Sequence, residues 1–248
     1  RDDWYTTHRD ARHLDDAAQV GRIAAERSIA RLGGRRVKTG EFPIILEAPL
    51  AGGLLGSLVH AASGGALYRK SSFLLDHLGK KIMPDFVQIA ERPHIKCGLG
   101  SASFDSDGVA TSDRDVVTNG ILQGYFLSTY TARKLGMQTT ANSGGSHNLI
   151  IEPGDLDLEG LMARMGRGLL VTELLGQGIN YVTGDYSRGA AGFWIEDGRI
   201  AYPVEEITIA GNLKDMFAGI VAVGRDVQVR GTKQTGSILL DRMTVAGE

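Results

Sequence analysis

"GAAGFWIEDGRIAYPV", residues 189–204, places two apolar runs on either side of Asp197-Gly198. A two-residue hairpin loop needs positive φ at both central positions, and Asp-Gly supplies that cheaply, so the stretch predicts two antiparallel strands. Outward from it, "GNLKDMFAGIVAVG" (211–224) opens with Asn212 as a helix cap, and "GSILLDRMTVAG" (236–247) reads as a closing strand. Upstream, "DLDLEGLMARMGRG" (155–168) predicts a helix with an acidic first turn, followed by "LLVTELLGQG" and a strand-like "INYVTG" (179–184).

The first third alternates differently. "LDDAAQVGRIAAERSIARLGG" (14–34) has Val20, Ile23, Ala24 and Leu32 at near-helical spacing, Asp15 and Asp16 at its start and Gly33-Gly34 as a stop. It predicts an amphipathic helix. "FPIILEA" (42–48) is a short apolar strand, and "GGLLGSLVHAASGGALYRKSS" (52–72) a buried helix built from small residues. Between 85 and 136 short β-branched and aromatic runs are broken by the turn signals "DSDG" and "TNG", which predicts antiparallel strands. Helices and strands mix without a regular βαβ alternation. The fold class is therefore α+β, a curved, largely antiparallel sheet with packed helices. Residues 1–35 are expected to form the connection from an N-terminal domain absent from this chain, and 36–248 the α+β domain itself.

The 248 residues are 42% hydrophobic, enough for a sizeable core, and the net charge of −2 offers no basic field for a phosphate backbone. Nucleic acid is not an expected partner. The single cysteine, Cys97, excludes an intrachain disulfide, and no apolar run reaches membrane-spanning length, so a cytoplasmic protein is expected. The chain begins at Arg1 without a Met, which suggests the later part of a longer polypeptide.

Several chemistries fail on spacing. "AGGLLG" and "GQGINY" each lack a glycine of G-x-G-x-x-G, and no lysine follows a glycine-rich loop. Neither "GLGSASFD" nor "NSGGSHN" fits G-x-S-x-G, and Ser146 beside His147 has no identifiable third member. "DSDGVATSDRD" (105–115) puts Gly108 at the wrong place for a calcium loop, so a hairpin turn with solvated acids is expected. No two of the six histidines have the spacing that sets a pair of imidazoles on one helix face. His94 and Cys97 form an isolated H-x-x-C, and His60 stands alone on its helix. Asp185, Tyr186, Ser187, Arg188 and Gly189 form a polar cluster, read as a loop that could meet a peptide or partner, or as a turn closed by an Asp185–Arg188 pair.

In order along the chain, "YRKSSFLLDHLGKKI" (68–82), "FDSDGVAT" (104–111), "LSTYTARKLG" (127–136), "VTELLGQGIN" (171–180), "TGDYSRGAAGFWIEDG" (183–198) and "YPVEEITIAGNLKDMF" (202–217) resemble the PmbA (TldE) branch of the TldD/PmbA family. The resemblance runs from about Trp4 to the last residue and covers only the C-terminal part of such proteins. It implies a cytoplasmic subunit that pairs with a TldD-like sister as a zinc metalloprotease of unfolded or modified peptides, including leader peptides and an antitoxin. The older family name is modulator of DNA gyrase.

In the sister, the resemblance places zinc on an H-E-x-x-x-H helix with a cysteine near the C-terminus. Here the matching positions read Gly56, Ser57 and Ala61 in "GSLVHA", with Thr235 in "KQTGS". No cofactor is then expected in this chain, and zinc is expected in the TldD-like partner. The expected partners are that protein, as a heterodimer, a peptide substrate, and a second copy when the chain is alone. Two alternatives stand beside this reading: an autonomous hydrolase around His147, Ser146 or Cys97, and a gyrase-modulating binding module.

Overall fold

The hairpin forms where Asp197-Gly198 predicts it: in the computed structural model, which describes residues 1–248, Asp197 has φ 50° and Gly198 φ 73°, and Glu196 pairs with Arg199. Before it come α1 (Ala17–Ala30), β1 (Gly40–Leu46), α2 (Ala48–Ala61) and α3 (Gly64–Tyr68). They are followed by β2 (Ile89–Glu91), β3 (Arg114–Thr118), β4 (Ile121–Leu122), α4 (Thr129–Leu135), β5 (Leu149–Ile151) and α5 (Leu158–Met165). Next are β6 (Gly168–Leu175) and the hairpin strands β7 (Asp185–Glu196) and β8 (Arg199–Asn212). The chain continues through α6 (Leu213–Ala218), β9 (Ile220–Val223), β10 (Lys233–Gln234) and β11 (Ile238–Ala246).

The larger sheet runs β1-β6-β7-β8-β11-β9, and β11 also pairs with β1, so five of its strands close into a ring. All its pairings are antiparallel except β1 with β6. The curved, largely antiparallel α+β reading therefore holds, and closure is how the curvature is completed. A smaller sheet, β10-β5-β2-β3-β4, lies beside it, with only the β10–β5 pair parallel. One hydrophobic cluster spans both sheets and α2: it holds Leu54, Leu55 and Leu58 of the helix with Ile44, Leu46 and Val171 of the larger sheet and Ile89, Val117 and Leu149 of the smaller one.

The second half of β1, from Ile44 to Leu46, is apolar because both its faces are covered. Ile44 and Leu46 belong to the central core, while Ile45 between them faces a second cluster with Leu161 of α5, Leu170 and Ile195. The predicted cap Asn212 accepts the Lys214 N–H, and the other two acidic helix starts prove to be capped as well: Asp16 accepts the N–H groups of Ala18 and Gln19, and Asp157 that of Gly160.

Three expectations are corrected. α1 forms with the predicted Val20, Ile23 and Ala24 half-buried on one face, but it buries none of its residues fully, and Leu32, two residues past its end, is 74% exposed. Its alanines give too little apolar area to dock by, and Arg27 and Arg31 hold it instead. Arg27 pairs with Glu47 at 2.7 Å and Asp2 at 2.9 Å, and Arg31 pairs with Glu173 and Asp2. "INYVTG" is a turn, not a strand, because Asn180 folds it: its side chain accepts the Val182 N–H and its carbonyl accepts that of Gly184. The acids of "DSDG" are not all solvated. Asp105 is buried and accepts the N–H groups of Asp107, Val109 and Ser143, which fixes the turn from inside.

The ionic dock of the N-terminal segment carries a pH prediction. Burial pushes the Asp2 carboxyl up, but the Arg27 hydrogen bond, the Asp3 N–H and the charges of Arg27 and Arg31 outweigh it and hold it below its ordinary 3.8. A carboxyl depressed in the folded state stabilises fully above its unfolded pKa and loses that contribution as pH falls through the folded value. In a Trp194→Phe background, Trp4 emission is expected to stay constant from about pH 7 to 5 and to shift below about pH 4, ahead of the loss of far-UV CD. A Trp4 signal that moves only together with the CD would show that Asp2 does not hold the segment.

Candidate functional site

α2 starts at a well-built corner. The Ala48 N–H donates to Ser237 Oγ at 3.0 Å, and Ser237 Oγ donates to Asp226 at 2.6 Å, while Glu47 is left to Arg27. Along one side of the helix Gly52 and Gly56 face Lys233 of β10: a Cβ placed on Gly56 would lie 3.6 Å from Lys233 Cε. The lysine's methylenes thus lie along the position that the sequence matched to a first metal-binding histidine.

The other matched positions are equally occupied by packing. Ser57 is buried and its Oγ donates back to the Gly53 carbonyl at 3.2 Å. Ala61 is fully buried in the core, and Thr235, also buried, donates to the Gly236 carbonyl at 2.8 Å. A zinc site wants three protein ligands of imidazole, thiolate or carboxylate type, and these four residues offer two hydroxyls, both already spent on carbonyls. They do not fit a zinc ion. Nor does any group of three or more His, Cys, Asp and Glu side chains elsewhere in the chain come together to hold a metal.

Asp185 to Gly189 are not a loop but the first half of β7. One edge pairs with β8, Asp185 with Asn212 and Ser187 with Ala210. The other is covered by the preceding turn: the Ser187 N–H donates to the Gly178 carbonyl, and the Asp185 carbonyl accepts the Asn180 N–H. Gly178 is required there, since a Cβ would fall 1.8 Å from the Ser187 carbonyl oxygen. Main-chain groups of this segment are therefore used up, and only the side chains of Asp185 and Ser187 are fully exposed. Asp185 bonds Thr183 and Asn212 instead of Arg188. Arg188 reaches the Leu174 carbonyl at 3.4 Å and lies against the Tyr186 phenol, while its Nε is buried without a partner. Tyr186 is buried, and burial pushes its phenol above its ordinary pKa against the opposing charge of Arg188, so it stays neutral.

The turn brings the two sequence-predicted clusters together. Its Tyr181 stacks on His60 of α2 with ring centroids 3.9 Å apart, so the lone helix histidine is an aromatic contact.

The residues of the autonomous-hydrolase reading are scattered. His147 Nδ1 lies 3.2 Å from buried Glu91, which also accepts the His147 N–H, Asn142 and Arg114. No hydroxyl or thiol bonds to the His147 ring. His94 Nε2 lies 3.0 Å from Thr111 Oγ1, and Cys97 is exposed. The Thr111 hydroxyl donates to the Ala102 carbonyl at 2.6 Å and not to His94, and none of His147, Ser146 and Cys97 has a nucleophile–base hydrogen bond to another of the three.

Sequence reasoning missed a cationic cleft beside α2. The Arg230 guanidinium lies 3.7 Å from the Trp4 ring centroid and 4.7 Å from that of Tyr5. With Lys233, Gln228 and Gly52 it lines a cavity of about 320 Å³. Burial lowers the Arg230 pKa, an effect only partly offset by Tyr5, Glu47 and Asp3. No spacing could have revealed the cleft, because Trp4 and Arg230 lie at opposite ends of the chain.

The PmbA/TldA metallopeptidase C-terminal domain matches residues 39–247. The Escherichia coli O157:H7 protein named metalloprotease PmbA is 51% identical over 248 residues, all of this chain and 55% of that protein. A crystal structure of a candidate modulator of DNA gyrase from Bacteroides thetaiotaomicron VPI-5482 superimposes with a TM-score of 0.94 at 34% identity, covering 99% of this chain and 55% of the other. TldE from Thermococcus kodakarensis gives a TM-score of 0.84 at 26% identity, covering 97% and 57%. This chain therefore spans about half the length of the curated relatives it matches.

Proposed function

The chain belongs to the PmbA/TldD metallopeptidase family, on its PmbA (TldE) side, and from that premise we propose that it acts as the non-catalytic half of a two-subunit protease. In this reading the chain docks against a zinc-bearing TldD-like sister in the cytoplasm and helps to hold an extended, unfolded or modified peptide. The observation that supports it is the α2 corner: packing has claimed Gly56, Ser57, Ala61 and Thr235, the positions that the family resemblance matches to the sister's ligands and general base.

What this chain supplies is shape and positioning. Tyr181 stacked on His60 ties the start of β7 to α2, so the exposed side chains of Asp185 and Ser187 are held on a strand and not on a mobile loop. Together with half-buried Arg188 and Gly189 they are the surface we assign to the peptide or the sister, with Tyr186 buried beneath it.

The test is a three-way assay of a leader-type peptide with this chain, a TldD-like sister, and both together. Cleavage is expected only in the mixture, with zinc near zero in this chain by elemental analysis and about one per sister. Arg188→Ala is expected to reduce cleavage by the mixture at least threefold. Cleavage by the metal-free isolated chain would replace this reading with the hydrolase one, and tightly held zinc in this chain would overturn the assignment of the metal to the sister.

A further inference from the structure

Arg230 is a cation without an anion. Its guanidinium is partly desolvated between Trp4 and Tyr5, and its pKa is lowered by that burial, yet no carboxylate bonds to it. Glu47 and Asp3 are near enough to attract it, but both Glu47 oxygens are taken by Arg27 and Asp3 makes no bond to it. Arg27 adds a further positive charge nearby. Stacking on aromatic rings offsets part of the desolvation cost, and an arginine held flat in this way presents its N–H edge to a planar anion.

Two further groups line the same cavity. Lys233 makes no ion pair, and its methylenes are steadied against Gly52 and Gly56. Gln228 has a buried amide oxygen with no hydrogen-bond partner. A buried acceptor left open costs free energy unless a donor arrives, just as an unpaired cation does unless an anion arrives. Two cations and one open acceptor around a cavity of about 320 Å³ call for a ligand with a carboxylate and an adjacent N–H.

We propose that this cleft, between Trp4-Tyr5, the glycine side of α2 and residues 228–233, binds the C-terminal carboxylate of a peptide. Arg230 and Lys233 take the carboxylate oxygens, and Gln228, once its buried amide turns toward the cavity, accepts the N–H of the last peptide bond. The inference rests on the peptide-holding reading above and gives it an anchor: a free chain end is recognised by main-chain chemistry, largely without regard to sequence.

The experiment compares two fluorescein-labelled alanine hexapeptides, identical except for a free carboxylate or an amide at the C-terminus, by anisotropy against the full chain. The carboxylate form is expected to bind at least tenfold more tightly. Lys233→Gln, at the cleft's rim, is expected to reduce that preference to below threefold with an unchanged thermal midpoint. Arg230→Gln is expected to abolish it, and Arg230→Lys to restore it only in part. Equal binding of both peptides, binding of neither, or a preference that survives Lys233→Gln with Arg230→Gln would overturn the proposal. No sister subunit or cleavage enters this assay. Sister-dependent cleavage without a carboxylate preference would remove the anchor alone, whereas the preference without such cleavage would remove only the two-subunit reading.

Discussion

Glu91→Ala is expected to cost about 3–5 kcal/mol of stability, because it breaks a buried ion pair from one side only. Glu91 is 1% exposed, and both its oxygens are fully used. Oε2 accepts Arg114 Nε at 2.6 Å, while Oε1 accepts Asn142 Nδ2 at 2.8 Å and the His147 N–H at 2.7 Å. Arg114 lies over the Phe126 ring, 4.8 Å from its centroid, and one of its terminal nitrogens already lacks a partner. Without the carboxylate its charge has nothing left to balance it in a core that excludes water. At about 2–4 °C per kcal/mol for a domain of this size, the thermal midpoint is expected to fall by roughly 6–20 °C. Glu91→Gln keeps the shape but turns a donor toward a donor, so it is expected to rescue only part of the loss. Urea unfolding of the three proteins is the check, and a loss below about 1 kcal/mol for the alanine variant would mean that the network does not hold the small sheet together.

Phe217→Ala is expected to cost about 3–5 kcal/mol for a different reason: transfer of a large ring plus the space it leaves. Phe217 is 1% exposed on α6, its ring 6.1 Å from that of Phe73. The two rings, with Leu74 and Met83, wall a cavity of about 470 Å³ between α6 and residues 73–84. Truncation would join the vacated ring volume to that apolar space. Benzene or a similar small apolar solute is then expected to raise the melting temperature of the variant and not of the parent, since a ligand that binds only the folded state stabilises it. If the variant melts lower but gains nothing from benzene, the site has collapsed and the volume argument is wrong.

Where structure is set by neighbours in the chain, the sequence was readable. Asp197-Gly198, the cap Asn212, the acidic helix starts at Asp16 and at 155–159, and the apolar "FPIILEA" each act within a few residues, and each is found as read. Where distant groups decide, it was not. "LLVTELLGQG" becomes a strand because β1 and β7 flank it, and "INYVTG" turns because Asn180 bonds its own neighbours more readily than it joins a sheet. The Asp185 to Gly189 segment looked like a loop because polar residues and glycine crowd it. Its pairing partners on β8 lie 19 to 27 residues on along the hairpin, from Gly189 with Thr208 to Asp185 with Asn212. Resemblance located the α2 positions, while the Arg230 cleft depends on an aromatic pair from the far end of the chain and left no trace in local pattern.

Ring closure also has a consequence for how the protein is made. β1 finds one of its two partner strands only in β11, Gly40 meeting Val245 and Leu46 meeting Ile238. At about 5–20 residues per second on the ribosome, the first strand waits roughly 10–40 s for the last, with an apolar edge unpaired. Contacts of such long sequence separation also fold slowly once the chain is complete. A nascent chain of this design depends on something covering that edge during synthesis, and stalling translation between β8 and β11 should raise its capture by chaperones more than stalling after β11.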